Sequence, residues 1–255
     1  MHQIAHQWNP KLYNDKHAFV HEYGTSLVEI LNPKKGERIL DLGSGSGELT
    51  HMIWEKTNEV IGMDSSLEMV EDARSRYPYC KFEVGDASDF QFIKPFDVIF
   101  SNATLHWVTN YEAAMKCMYR NLVKGGRLVL EFGGKGNIQK ISQQLRKSLK
   151  ARGYVRQSNI QLWYFPSIGE YTSQLEKVGF SITSAQWYER PTKLSDTETG
   201  IIDWLTMFCK PFMEDVKTAD VDVIMNEVKE KLKPELYRNG NWFADYKRIR
   251  ITAFR

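Results

Sequence analysis

The chain has 255 residues, 42 % of them hydrophobic and 26 % charged, which is the composition of an ordinary globular protein rather than a disordered or fibrous one. Its formal net charge is +2, with acids and bases interspersed, so nothing electrostatic favours nucleic acid or an anionic membrane as partner. The length suits one α/β domain with a substantial core, and no apolar run approaches the roughly 18 residues of a membrane helix.

The opening "MHQIAHQWNPKLY" has no apolar h-region, so no secretory signal is expected. Cys80, Cys117 and Cys209 are odd in number and far apart, as expected of reduced packing residues in a cytoplasmic protein. His2 with His6 and His17 with His21 have i, i+4 spacing, but without a third ligand no metal site is expected.

From Glu37 onward, short apolar runs alternate with helical patterns. "RILDL" is a strand, "ELTHMIWEK" a helix leaving the turn "GSGSG", and "EVIGMD" a second strand ending in an acid. Ser65 and Glu68 have the S-x-x-E spacing of a capping box opening the helix "LEMVEDARSRY". "KFEVGD" is a third strand ending in an acid, and "FDVIFSN" a fourth whose continuous apolarity suits burial on both faces. Tyr111, Ala114, Met115, Met118 and Leu122 follow helical spacing, with Asn110 as N-cap and Gly125–Gly126 as the stop. "RLVLEF" is a fifth strand. Repeated strand–helix units of this length predict an α/β fold with a doubly wound, mostly parallel, Rossmann-like sheet.

The second half alternates a helix beginning in "GKGNIQKISQQLRKSLKA", an aromatic connection through Trp163 and Tyr164, and a helix followed by a strand near 180–188. Two helices follow, carried by Ile201, Trp204, Leu205 and Phe208 and by Val221, Ile224, Met225, Val228 and Leu232. They are expected to form a small helical cap. The alternation in "YKRIRITAFR" makes a final strand, near 246–255.

Gly43, Gly45 and Gly47 follow the first strand directly, where the chain turns into a helix and a ligand can touch bare backbone. The dinucleotide fingerprint GxGxxG is not met: the third glycine comes one position early and Glu48 stands in its place. A carboxylate there would repel a pyrophosphate. No P-loop is present either. Asp64 and Asp86 close the second and third strands, where one carboxylate suits ribose hydroxyls and the other the amino group of an adenine.

"ILDLGSGSG", "VIGMDSS" and "FEVGDASDF" together resemble the successive cofactor motifs of class I S-adenosylmethionine-dependent methyltransferases, over roughly residues 37–134. The resemblance implies S-adenosyl-L-methionine as cofactor. Asp41, Gly43, Ser44, Gly45 and Gly47 would approach its methionine part, Asp64 and Ser65 the ribose, and Asp86 and Ala87 the adenine. Asn102, at the fourth strand end, and Trp8 and Tyr13, in a clasp over the cofactor, complete the expected set. The family commonly has Cys where Ser44 stands.

"FSNATLHWV", "WNPKLY" and "GIIDWLTMF" are similar to the trans-aconitate methyltransferase group and the malonyl-carrier-protein methyltransferases, which esterify carboxylates. The segment after the fourth strand lacks the [ND]PP[YF] arrangement of amine-methylating enzymes. The resemblance also implies that the final strand is antiparallel. The expected organisation is a single methyltransferase domain over 1–255. It comprises an N-terminal helical clasp (1–36), a cofactor core (37–134), substrate-side helices and cap (135–245) and the last strand.

The expected acceptor is therefore a small-molecule carboxylate, with Trp107, Trp163, Tyr164 and Trp204 as substrate wall. His106 is the one candidate catalytic side chain, although a carboxylate needs no base. Trp204 with Phe208 also suits plain core packing, and Arg152, Arg156 or Arg190 could pair with a distal carboxylate. A phenol, amine or thiol acceptor, or a cofactor-binding protein without catalysis, is the alternative. Neither nucleic acid nor membrane is expected as partner, and a monomer is.

Overall fold

The computed structural model describes residues 19–255. Contacts divide the chain into two units. The first, residues 18–135, 163–188 and 248–255, carries the sheet. After α1 (Phe19–Leu31) come β1 (Ile39–Leu42), α2 (Glu48–Thr57), β2 (Val60–Asp64), α3 (Leu67–Arg76), β3 (Lys81–Val84) and β4 (Phe96–Asn102). A 3₁₀ turn (Leu105–Trp107), α4 (Tyr111–Asn121) and β5 (Leu122–Gly133) follow. The aromatic connection leads into α7 (Ile168–Val178) and β6 (Ser181–Lys193), and β8 (Asn241–Phe254) closes the chain. The elements between, α5 (Gln139–Ala151), α6 (Val155–Ser158), α8 (Gly200–Phe208), α9 (Thr218–Leu236) and β7 (Tyr237–Arg238), belong to the second unit.

The sheet order is β3-β2-β1-β4-β5-β8-β6, with β7 paired to β8. β1 lies parallel between β2 and β4, so strand order reverses there and the carboxyl ends of β1 and β4 border a ligand crevice. β8 runs antiparallel to β5, from Arg127↔Phe254 to Gly133↔Arg248, as the sequence resemblance implied. Both faces are covered. Leu128, Leu130, Phe132, Ile249 and Ile251 pack with Ala114, Met118 of α4 and Tyr171, Leu175 of α7. Val98, Phe100 and Val129 pack with Leu27 and Leu31 of α1 and Leu49 and Ile53 of α2. Burial on both sides explains the continuous apolarity of β1 and β4.

Two local expectations are corrected. The N-cap of α3 is Ser66, whose hydroxyl accepts the Met69 N–H; Ser65 is exposed. The chain turns one residue later because Asp64 itself accepts the Ser66 N–H. α4 stops at Asn121, not at the glycine pair, and β5 starts at once with Leu122. The buried Asn121 amide returns to the Cys117 carbonyl, and its oxygen accepts the Phe92 N–H, so a side chain terminates the helix before Gly125. Asn110 occupies the N-cap position but makes no side-chain capping bond.

In the second unit α5 is clamped by Arg146, whose guanidinium donates to the carbonyls of Ser158 and Ile160. Asp245 accepts the Lys140 N–H at the start of the same helix. Ile201, Leu205, Ile224, Val228 and Leu232 are buried, as their helical spacing predicts. Among the described residues no helix is long and apolar enough to cross a membrane.

Candidate functional site

The glycine turn is fixed from both sides. The N–H groups of Gly43 and Ser44 both donate to the Met63 carbonyl. Gly43 has φ +81°, and a Cβ there would lie 2.1 Å from the Thr104 hydroxyl, so only glycine fits. Thr104 in turn donates to the Gly43 carbonyl. Gly45, at φ +54°, has nothing within 4 Å of a Cβ: its missing side chain leaves open space. The Ser44 hydroxyl is buried without a partner, packed 2.9 Å from where a Gly62 Cβ would be.

The acids surround this turn. Asp41 is 2 % exposed and accepts the Thr50 hydroxyl at 2.6 Å. Burial pushes its carboxyl up to about 7, with Asp64 and Glu48 adding repulsion and Thr50 opposing. Asp64 accepts the Gly45 N–H on one oxygen and the Ser66 N–H on the other; burial still raises its carboxyl above the ordinary range. Asp86 is exposed, closes a short turn onto the Ser88 N–H and hydroxyl, and leaves its other oxygen without a described partner. Ala87 beside it is buried in the core. Glu48 is drawn off the turn by Arg76 and Ser46.

Asn102 ends β4 opposite Glu131. Ala103 follows in a left-handed conformation, φ +57°, with its N–H on the Glu131 carbonyl. His106 is 7 % exposed. Its Nδ1 accepts the Gly133 N–H at 3.3 Å, which leaves the ring proton on Nε2. Burial, and then the Arg248 guanidinium, hold its proton affinity well below that of an ordinary histidine. The ring stacks on Phe165 at 5.7 Å, Phe165 on Trp163 at 5.9 Å, and Trp107 meets Trp163 edge-on at 5.8 Å. Tyr164 donates its N–H to the His106 carbonyl and stacks on Tyr111.

Asp41, Gly43, Ser44, Gly45, Gly47, Asp64, Ser65, Asp86, Ala87, Asn102, His106, Trp107, Trp163 and Tyr164 thus all belong to the first unit. Trp204 belongs to the second, is 2 % exposed, and donates its indole N–H to the Tyr246 hydroxyl at 2.6 Å. Arg152 pairs with Glu227 and Arg156 with Asp215. Trp8 and Tyr13 lie outside the described residues, as do the side chains of the two histidine pairs. Among the described residues no cluster of three metal-ligating groups occurs. Sequence reasoning missed Thr50, Thr104, Glu131 and Arg248. Of these only Thr50, in the first turn of the helix after the glycines, carried a signal.

Asp41 keeps one carboxylate oxygen without a described donor, Asp64 sits among backbone donors at the strand end, and Gly45 opens onto space. These groups fit the ammonium and ribose of an aminoacyl nucleoside.

Residues 33–190 match the family model described as a methyltransferase domain. An uncharacterized methyltransferase of Schizosaccharomyces pombe is 31 % identical over 257 residues, spanning 96 % of this chain and 97 % of that protein. The trans-aconitate 2-methyltransferase of an Acidovorax species is 26 % identical over 262 residues, spanning 98 % of this chain and 99 % of that one. In fold, the chain is similar to the phosphoethanolamine N-methyltransferase 2 of Haemonchus contortus, solved with S-adenosyl-L-methionine. That TM-score is 0.57 at 19 % identity, covering 92 % of this chain and 52 % of the other. The chain belongs to the methyltransferase domain family and is a methyltransferase of the S-adenosylmethionine-dependent class.

Proposed function

We propose that the enzyme esterifies a carboxylate of a small molecule, a trans-aconitate-like acid or a malonyl thioester. The state of His106 carries this reading. The imidazole is neutral, its Nδ1 lone pair is occupied by Gly133, and Nε2 offers a proton rather than a lone pair. A phenol or ammonium must lose a proton before it attacks, whereas a carboxylate, with a pKa of about 4, is ionised at neutral pH. A donor without a base suits the carboxylate. The trans-aconitate 2-methyltransferases similar over nearly the whole chain support the same class.

In this reading Asp41 and the glycine turn receive the methionine part of the cofactor, Asp64 and Ser65 the ribose, and Asp86 and Ala87 the adenine, with Asn102 beside them. When bound, the cofactor supplies a methyl group on a sulfonium. The chain aligns the acceptor oxygen with that carbon and keeps water out. Trp107, Trp163 and Tyr164, with Phe165 between His106 and Trp163, form the apolar wall. An ionised carboxylate would need no proton removed, so no side chain of the chain would have to act as a base. Because charge would be dispersed at the transition state, a water-poor aromatic wall would favour the reaction.

The test is transfer of labelled methyl to pooled carboxylic acids, including trans-aconitate and malonyl thioesters, followed by base. Release of labelled methanol supports an ester. Label that survives base overturns the reading in favour of nitrogen or an ether oxygen.

A further inference from the structure

We propose that Arg248, together with His106, receives the acceptor's carboxylate and makes the enzyme select an acid; this rests on the carboxylate reading above and names residues for it. Gly133 relates the two residues through the backbone. Its N–H donates to His106 Nδ1, and its ladder partner on β8 is Arg248. Both residues are 7 % exposed, and the guanidinium is close enough to help keep the imidazole neutral.

Strand alternation places Arg248 correctly for the task. Ile249 and Ile251 enter the core beneath α4 and α7, so Arg248 shares the opposite face with Arg250. That face also carries Glu131, the partner of Arg250, and Asn102, the partner of Glu131. A fixed cation and an N–H donor therefore stand together at the carboxyl ends of β4 and β5, where doubly wound sheets bind ligands. A guanidinium stays ionised at any accessible pH and grips a carboxylate through paired hydrogen bonds. In a water-poor setting the attraction is stronger than at the surface.

Arg250 donates through two nitrogens to Glu131, each at 2.7 Å, while Arg152 and Arg156 are paired in the second unit. Arg248 also engages other groups of the chain. Nε2 of His106 has no described acceptor, so its proton is available to the same carboxylate.

The experiment uses the full chain with S-adenosylhomocysteine bound and trans-aconitate as probe, comparing wild type with Arg248→Met, Arg248→Lys and His106→Phe by calorimetry and by steady-state transfer. Arg248→Met should weaken trans-aconitate binding by about 50-fold or more and raise its KM, with a smaller change in kcat, as expected for loss of a charge-assisted pair. Cofactor affinity should stay within about twofold, and Arg248→Lys should recover part of the loss because it keeps the charge without the fork. Unchanged acid binding in folded Arg248→Met overturns the proposal. Should that variant not fold, His106→Phe decides: a loss of about tenfold in acid affinity supports the pair, and no loss overturns it. Wild type that binds the acid through Arg248 without methylating it separates the two readings, since esterification then fails while the arginine's role stands. Wild type that binds no carboxylate overturns both.

Discussion

Thr50, in the first turn of α2, donates a 2.6 Å hydrogen bond to Asp41 at the end of β1, inside the closed base of the glycine turn. The bond occupies one carboxylate oxygen and opposes, without cancelling, the effect of burial, so Asp41 reaches about 7 rather than its ordinary 3.8. Between those values the folded protein holds a proton that the unfolded chain has released. The stability contributed by the neutral acid is full below about pH 4 and is lost as pH rises through 7. Its upper size is on the order of 4 kcal/mol. Asp41→Asn should therefore flatten the fall in stability between pH 4 and 7, measured by denaturant unfolding of the cofactor-free enzyme. An unchanged slope would place the proton elsewhere.

The proposed contact of Asp41 with the cofactor predicts that cofactor binding depends on pH. If Asp41 pairs with the cofactor's ammonium, binding near pH 6.5 should release a proton and tighten as pH rises to 8. Calorimetry in two buffers of different ionisation heat reads this directly. Asp41→Asn should abolish the proton release and weaken binding, and release that persists in the variant would remove Asp41 from the site.

Thr50→Val keeps the shape and removes the hydroxyl. It leaves a buried carboxylate oxygen unpartnered, which costs about 1–3 kcal/mol, and it should move the pH midpoint of cofactor binding upward. A variant as stable as wild type with the midpoint unmoved would show that the bond contributes nothing.

Two glycines of the turn should respond differently. Gly43→Ala drives a Cβ into Thr104 and imposes a left-handed φ, at a cost of about 2–4 kcal/mol. Gly45→Ala meets no atom, so folding should lose only about 1 kcal/mol. If the cofactor fills the open space beside Gly45, as proposed above, its affinity should fall disproportionately. Thermal melts with and without cofactor separate these effects, and equal stability losses would refute the distinction.

For His106, the absence of a titrating base predicts a flat kcat between about pH 6 and 9 at saturating cofactor and acid. A limb falling below pH 6.5 with unit slope, and missing in His106→Asn, would restore the histidine as general base.

Much of the cofactor half was legible before any coordinate. Alternating runs from Glu37 to Phe132 gave five strands in order because each buried strand and each amphipathic helix carries its own period. The glycines at 43, 45 and 47 and the acids at 64 and 86 sit in a single local context, strand end followed by turn, so spacing alone located them. Ser66 displaced Ser65 as cap because Asp64 already held the Ser66 N–H, a bond that depends on the exact path of the turn. Asn121 displaced the glycine pair because its amide meets Phe90 and Phe92 from a distant loop.

The sequence by itself determined the succession of strands and helices and the glycine turn, which follow from periodicity and contiguous spacing, and its motifs carried the resemblance to the methyltransferase family. Only the tertiary structure decided the protonation of Asp41, the tautomer of His106, the withdrawal of Trp204 into packing, and the strand pairing that brings Arg248 opposite Gly133, the donor to His106. Each depends on burial or on partners tens to more than a hundred residues apart. Desolvation and cross-strand register leave no trace in local spacing: the arginine whose charge acts on His106 is 142 positions away along the chain (248 − 106) and is brought near by the antiparallel pairing of Gly133 with Arg248.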